Sequence, residues 1–396
     1  MHTGFGPGEA RPFLLHNVTA VDATRTINNA WISVSDGRIQ TMGQGVAPDA
    51  DTNRWTDVID GRGGHVTPGF IDVHFHGGGS HSNEDGHQAI LGALAAHHAH
   101  GTTRAVVSFV ANPIPALVAS LKTVAELTET TPLILGSHLE GPFLAAERRG
   151  AHKAEHLVTP ANTNVSDLIA AARGTLRQIT LDPGQPGALP AIREISRAGT
   201  RVAIGHTTAS YETAVAAFAA GATMLTHTFN AMPGIHHREP GPIVAALDHD
   251  AYLELILDGI HVHPRVAAML FRLAPSRVLL VSDAMAAAGA PDGYYALGEQ
   301  SVDVRDGTAV LAGTSTLAGS TLTLDNALRL GISNKVHPQT VVEALTLTPA
   351  KLLNLSTVLG LLAPGYLADL VLFDPDWKIR ASFAEGRRLF QAPGQP

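Results

Sequence analysis

The chain of 396 residues contains no cysteine, which excludes disulfide bridges and thiolate metal ligands together. Charge is scarce: Asp, Glu, Lys and Arg make up 16% of the sequence, five residues are lysine, and no lysine-rich run occurs. A formal net charge of −8 offers no general attraction for nucleic acid, and the lack of a basic run removes the signature of a membrane surface. No apolar run reaches the ~20 residues that a membrane helix needs. The first residues, MHTGFGPGEARPF, lack the charged start and continuous apolar stretch of a signal peptide. These absences predict a cytoplasmic protein. What is present is a hydrophobic fraction of 45%, enough for a large core and incompatible with extended disorder.

Both ends of the chain read as short strands. FLLHNVTAVD, AWISVSDGRIQTMG and WTDVIDG near the start, and YLADLVLFDP and WKIRASFAEGRRLF near the end, alternate apolar and polar residues between Asp-Gly and Gly turns. They predict a small β-sandwich domain from residues 1–62 plus 360–396. Between them the pattern becomes strand, loop, helix, repeated. HVTPGFIDVHFHG, TTRAVVSFV, PLILGSHLEG, RQITLDP, RVAIGHTT, ATMLTHTFNA, YLELILDGIHV and RVLLVSDAM are the strand candidates. Eight such units predict an α/β fold of the (β/α)8 TIM-type barrel over residues 63–359, with a β-hairpin inserted at about 291–314. A doubly wound open sheet is disfavoured, because no glycine-rich phosphate fingerprint follows the first strand and polar residues end almost every strand.

The chain also has 21 histidines. His97, His98 and His100 fall at the polar end of an alanine-rich helix and read as solvated surface. Others fall at strand ends, where α/β barrels keep their chemistry. His227 in THTFNAM follows the run Ala222-Thr223-Met224-Leu225; His74 and His76 end the first strand, Glu140 the third and His206 the fifth. Asp258 and His261 follow the seventh strand, and Asp283 the eighth. Alternation puts His74 and His76 on one side of their strand. Imidazole and carboxylate together suit zinc or another first-row divalent ion, which would activate water for hydrolysis while Asp283 moves protons. Two imidazoles side by side need partners, and a second ion shared through Glu140 and Asp283 would satisfy both, so the pattern predicts one or two ions, with two favoured. Each residue alone has a plainer reading as a core histidine, a cap partner or a turn residue. Together, unpartnered, they would leave several buried charges at several kcal/mol each.

PGFIDVH followed by a glycine run, HLEGPF, RGAH, GHT, THTFNAM, DGIHV, SDAM and LAGS occur in one order along the chain. In that order the chain resembles the N-acetylglucosamine-6-phosphate deacetylases of the amidohydrolase superfamily, from about residue 14 to 375. The resemblance implies hydrolysis of the acetamide of N-acetylglucosamine 6-phosphate, in amino-sugar catabolism and cell-wall sugar recycling. It implies Glu140, His206 and His227 as metal ligands and Asp283 as catalytic base and then acid. Ala151, His152, Asp258, Gly259, Ile260 and His261 would contact the sugar; Asn230, Ala231 and Arg238 would hold the phosphate; Leu317, Ala318 and Gly319 would line the acetyl pocket. A homodimer is implied as well, across which Arg238 would be able to reach. Part of this family lacks the first-strand pair that this chain has in His74 and His76, which puts the metal count in question and leaves the reaction as it is. A dihydroorotase- or hydantoinase-like enzyme would need a bridging lysine at a strand end, and Lys122, Lys153, Lys335, Lys351 and Lys378 all lie elsewhere. The galactosamine-6-phosphate version of the deacetylase and a non-catalytic barrel are the other readings, the last disfavoured because every ligand position is filled.

Overall fold

The computed structural model describes residues 11–47, 55–160 and 162–394. Most of the opening segment read above as lacking a leader, and residues 48–54 of the expected terminal domain, lie outside the described residues. Two compact units are present, one of Met1–Ile71, His98–Thr103 and His337–Pro396, the other of Asp72–His97 and Arg104–Val336. Among the described residues no helix is long and apolar enough to cross a membrane.

The first unit is built on a seven-stranded sheet. Phe13–Val21, Thr26–Ser35, Arg38–Gln44 and Asp57–Pro68 come from the start of the chain; Leu370–Phe373, Ile379–Ala384 and Arg387–Gln391 come from its end. Asp57–Pro68 joins the halves, parallel to Phe13–Val21 and antiparallel to Leu370–Phe373. The Asp36-Gly37 turn has φ of 53° and 72°, the pair of positive values that a two-residue hairpin needs and that Asp-Gly tolerates. Phe13 and Phe383 lie on strands three places apart in the sheet order, about 14 Å in a flat sheet. Their ring centroids are 5.2 Å apart. The sheet therefore folds over on itself and closes a core that includes Phe13, Ile32, Val34, Leu370 and Phe383. This is the expected small β domain drawn from both termini, its strands joined in one hydrogen-bonded sheet.

The barrel sheet has eight strands in chain order: Phe70–Phe75, Thr102–Phe109, Ile134–Glu140, Leu176–Leu181, Arg201–Ile204, Ala222–Leu225, Tyr252–Ile256 and Val278–Val281. Every residue of the first two is buried, polar ones included, as follows when helices cover a parallel sheet. The ends of the sheet meet at the carboxyl edge of the strands. There Phe75 bridges Ala284 in parallel, and the Asp283 amide donates to the His74 carbonyl at 2.9 Å. The closing bonds thus fall on the segments that carry His74, His76 and Asp283.

A helix at Asn162–Ala171 lies between the third and fourth strands, as the strand, loop, helix repeat expects, with Val165 and Leu168 buried. Two details depart from expectation. The insertion after the eighth strand is a three-stranded antiparallel meander, Gly293–Leu297, Gln300–Arg305 and Thr308–Leu311, in place of a hairpin. His97 and His98 are buried, each 2% exposed, rather than solvated. His97 Nε2 lies 2.9 Å from the Gly77 carbonyl and His98 Nδ1 2.7 Å from that of Thr102. These acceptors are remote in the pattern of the helix itself, so its composition conceals them.

Burial pushes the His98 imidazole down to about 4, whereas in an unfolded chain it sits near ~6.5. As pH falls through that window the unfolded chain takes up a proton that the native state refuses, so stability present above ~6.5 is lost towards 4, by up to ~3 kcal/mol. His98→Asn should lose about 2–3 kcal/mol less than wild type between pH 7 and 4.5 in chemical denaturation. Equal losses would mean that His98 ionises freely in the native state.

Candidate active site

Strand ends set the site. Glu140 is the last residue of the third barrel strand, and His74 lies within the first strand with His76 just past its end. His206, His227 and Asp283 each stand two residues beyond the fifth, sixth and eighth strands, and all three have left-handed backbone, with φ of 46°, 27° and 47°. Such conformations cost of order 1–3 kcal/mol each for residues other than glycine and persist where surrounding structure imposes them. Here the imposed turn aims each side chain across the barrel mouth. Gly150 answers to the same crowding. At φ +56°, a left-handed conformation that costs other residues strain, and with a Cβ position only 3.2 Å from the His206 ring, its place in RGAH favours glycine.

The Glu140 carboxylate is the centre of the cluster. Its Oε1 is 2.9 Å from His227 Nε2 and 3.0 Å from His206 Nε2. Its Oε2 is 3.1 Å from His76 Nε2 and 3.6 Å from His74 Nε2. Within each imidazole pair the Nε2 atoms are 3.0 Å apart, and Asp283 Oδ1 stands 3.4 and 3.5 Å from those of His74 and His76. His206 spends Nδ1 on the Arg148 carbonyl at 2.7 Å, and His74 spends Nδ1 on Glu254 at 3.1 Å. Their Nε2 atoms are then lone pairs when the rings are neutral. Lone pairs aimed at carboxylates and at one another need a cation among them. The field says the same: burial opposes charge on His74, yet the Asp283, Glu140 and Glu254 carboxylates hold its pKa well above the ordinary value. Glu140, against its own burial, is held well below the usual carboxylate range by His74 and His152. Four imidazoles and two carboxylates are a donor set that fits first-row divalent ions.

Beneath these groups lies a layer absent from the sequence reading. Glu254, fully buried, also accepts from the His227 amide at 3.2 Å and from Gln178 Nε2 at 2.6 Å. His138 sits edge-on to His74 with ring centroids 4.5 Å apart, between Ser108 Oγ at Nδ1 and Thr180 Oγ1 at Nε2, both 2.9 Å away. Burial and the positive field of His74 hold it far below its ordinary pKa, hence neutral. Asp72, raised to about 6 by burial, accepts from the His74 and Ser282 amides at 3.2 and 3.3 Å. An acidic residue inside the apolar run YLELIL was a visible signal for Glu254; His138 had the same signal in LILGSHLE.

The cluster floors a cleft of about 560 Å³. Ala151, His152, Asn230, Ala231, His261, Leu317 and Gly319 line it. His152 Nδ1 accepts from the Ala111 amide at 3.1 Å, which leaves the proton on Nε2, and burial pushes its pKa down to about 4. It is a neutral donor facing Glu140 rather than a ligand. Asp258 caps the Ile260 and His261 amides at 2.8 Å and holds His261 Nδ1 at 2.6 Å. Burial opposes charge on His261, but that carboxylate raises its pKa. Asp258 backs His261, Gly259 and Ile260 are exposed outside the lining, and Ala318 is buried between Leu317 and Gly319. Arg238 is exposed, bonded to His237 Nε2 at 2.7 Å, and is not among the lining residues. The arginines that do line the cleft, Arg148 and Arg149, were not anticipated.

The sequence profile of the Amidohydrolase family matches residues 65–390. An N-acetylgalactosamine-6-phosphate deacetylase of Escherichia coli O157:H7 is 38% identical over 81% of this chain and 87% of its own. An N-acetylglucosamine-6-phosphate deacetylase of Vibrio furnissii is 36% identical over 87% of this chain and 88% of its own. Among solved structures, a mutant N-acetyl-D-glucosamine-6-phosphate deacetylase of Mycobacterium smegmatis in complex with N-acetyl-D-glucosamine-6-phosphate superposes with a TM-score of 0.90 at 35% identity, covering 96% of this chain and 100% of that one.

Proposed function

The chain belongs to the amidohydrolase family, and on that premise we propose that it hydrolyses the N-acetyl group of N-acetylglucosamine 6-phosphate to glucosamine 6-phosphate and acetate. The observation that carries the reading is the Glu140 carboxylate with an imidazole pair on each oxygen, at the floor of a cleft that also holds Asp283. The gluco configuration is preferred because that sugar phosphate is the ligand of the mycobacterial relative. Zinc is the metal we propose, with Glu140, His206 and His227 holding one ion and His74, His76, Glu140 and Asp283 a second. When bound, such ions polarise a carbonyl oxygen and lower the pKa of water.

The chain's own residues supply the rest. Asp283, whose side chain is 10% exposed, takes a proton from the attacking water and returns it to the nitrogen as the carbon–nitrogen bond breaks. His152, protonated at Nε2, donates to the sugar and orients it, and His261 does the same from the opposite loop with its charge backed by Asp258. Leu317 and Gly319 enclose the acetyl methyl. The phosphate meets Asn230 and the Ala231 backbone. Since Arg238 stands outside the cleft of its own chain, we read it as completing the phosphate site of a second copy in a cytoplasmic homodimer.

Acetate release from N-acetylated glucosamine and galactosamine, each with and without the 6-phosphate, tests the reading. The expected order places N-acetylglucosamine 6-phosphate first; no release from any phosphorylated sugar would refute it. In Asp283→Asn the amide accepts a hydrogen bond but cannot take up and pass on a proton, and kcat should fall by about 10³-fold or more with at least one ion still bound. Retention of over about a tenth of wild-type kcat would assign the base elsewhere. Arg238→Ala should lower kcat/KM about 10- to 150-fold on the phosphorylated sugar alone, the worth of a hydrogen bond to a charged group. An unchanged value there, with the same loss appearing in Arg148→Ala/Arg149→Ala, would move the phosphate to the rim arginines. Zinc analysis should find about two ions per wild-type chain and one in His74→Asn/His76→Asn. One ion in both would reduce the first-strand pair to hydrogen-bonded support.

A further inference from the structure

Glu254 is the third residue of the seventh barrel strand, fully buried, and its partners all belong to the site or to the wall behind it. Oε2 faces His74 Nδ1 at 3.1 Å and accepts from the His227 amide at 3.2 Å, while Oε1 accepts from Gln178 at 2.6 Å. One carboxylate oxygen therefore touches a residue from each of the two imidazole pairs that flank Glu140. The His74–His76 pair has little else to orient it: His76 Nδ1 is buried without a hydrogen-bond partner among the described residues. When the His74 ring is neutral with its proton on Nδ1, as in a ligand, Nε2 presents its lone pair 3.0 Å from His76 Nε2 and 3.4 Å from Asp283. A ligating histidine whose other nitrogen donates to a carboxylate is fixed in tautomer and ring orientation and gains basicity.

We propose that Glu254 is the positioning residue for a divalent ion at His74 and His76, fixing the His74 tautomer and supplying a negative charge behind the ligand. The proposal rests on the two-ion reading above. It gives the two ions unequal dependence on Glu254. The first-strand ion relies on Glu254 through a side chain, whereas the ion at Glu140, His206 and His227 touches it only through a backbone amide of its ligand loop. Glu254→Gln keeps the shape and an acceptor but removes the charge.

Zinc titration of metal-free protein in competition with a chromophoric chelator reads both affinities. Wild type should bind two ions. In Glu254→Gln the weaker-held ion should lose affinity by about 10- to 100-fold, with the other little changed. One ion in wild type overturns the two-ion reading and this proposal with it. Two ions in wild type with an unchanged second affinity in the variant, or a parallel loss of both, overturns the proposal alone. A measurement without the variant guards against misfolding. In zinc-loaded protein labelled with ¹⁵N-histidine, the His74 signal, assigned by its loss in His74→Asn, should report a proton on Nδ1 and none on Nε2. A proton on Nε2 with Nδ1 bare would overturn the assignment.

Discussion

Glu140 has two oxygens: Oε1 faces His206 and His227, which follow different strands, and Oε2 faces the first-strand pair His74 and His76 together with His152. Everything else at the barrel mouth is arranged so that this one side chain can be ionised while 4% exposed. A buried carboxylate without cations would cost several kcal/mol or take up a proton. Here its pKa is driven the other way, well below the usual range, because the surrounding groups are themselves held ready to carry or accept positive charge. The same requirement explains the closure of the barrel. The backbone bonds that join its ends run through His74, Asp283 and Ala284, so completing the sheet and completing the site are one event.

The arrangement is supported by groups that never reach the cleft. Glu254 holds a ring nitrogen, Asp72 holds the backbone amides of His74 and Ser282, and His138 with Thr180 and Thr226 fills the layer below through bonds of 2.7–2.9 Å. Such layers are formed by inward-pointing residues of alternate strands, the ordinary interior of an α/β barrel. In this barrel the upper layers are polar, and hydrogen bonds take over the fixing of geometry that apolar packing performs lower down. The left-handed backbone at His206, His227 and Asp283 is held by these same contacts and by the closing bonds.

Much of this was legible in the sequence, for a physical reason. A parallel strand buried on both faces is an apolar run, so a His, Glu or Asp where the run stops stands out, and alternation alone places His74 beside His76. Eight runs gave the barrel, and the Asp-Gly and Gly turns gave the terminal sheet. What pattern does not carry is the identity of partners across the barrel. Glu254 and His138 interrupt apolar strands, yet nothing in one strand says that they meet His74. His97 and His98 looked solvated because their acceptors are carbonyls supplied from outside their helix. Arg238 was expected at the phosphate from the resemblance, whereas folding brings Arg148 and Arg149 to the cleft of the same chain. A turn after the eighth strand suggested a hairpin; the third strand of the meander, Thr308–Leu311, is short and half-buried on most of its length, and its pattern is correspondingly weak.

Two cations, one on each Glu140 oxygen, are what we propose this arrangement holds. Anomalous diffraction at the zinc absorption edge, from crystals of the zinc-loaded protein, would locate them. Two anomalous peaks should flank the Glu140 carboxylate, one against His206 and His227 and one against His74 and His76. A single peak at His206 and His227, with the first-strand imidazoles bonded only to protein groups, would rule out the second cation.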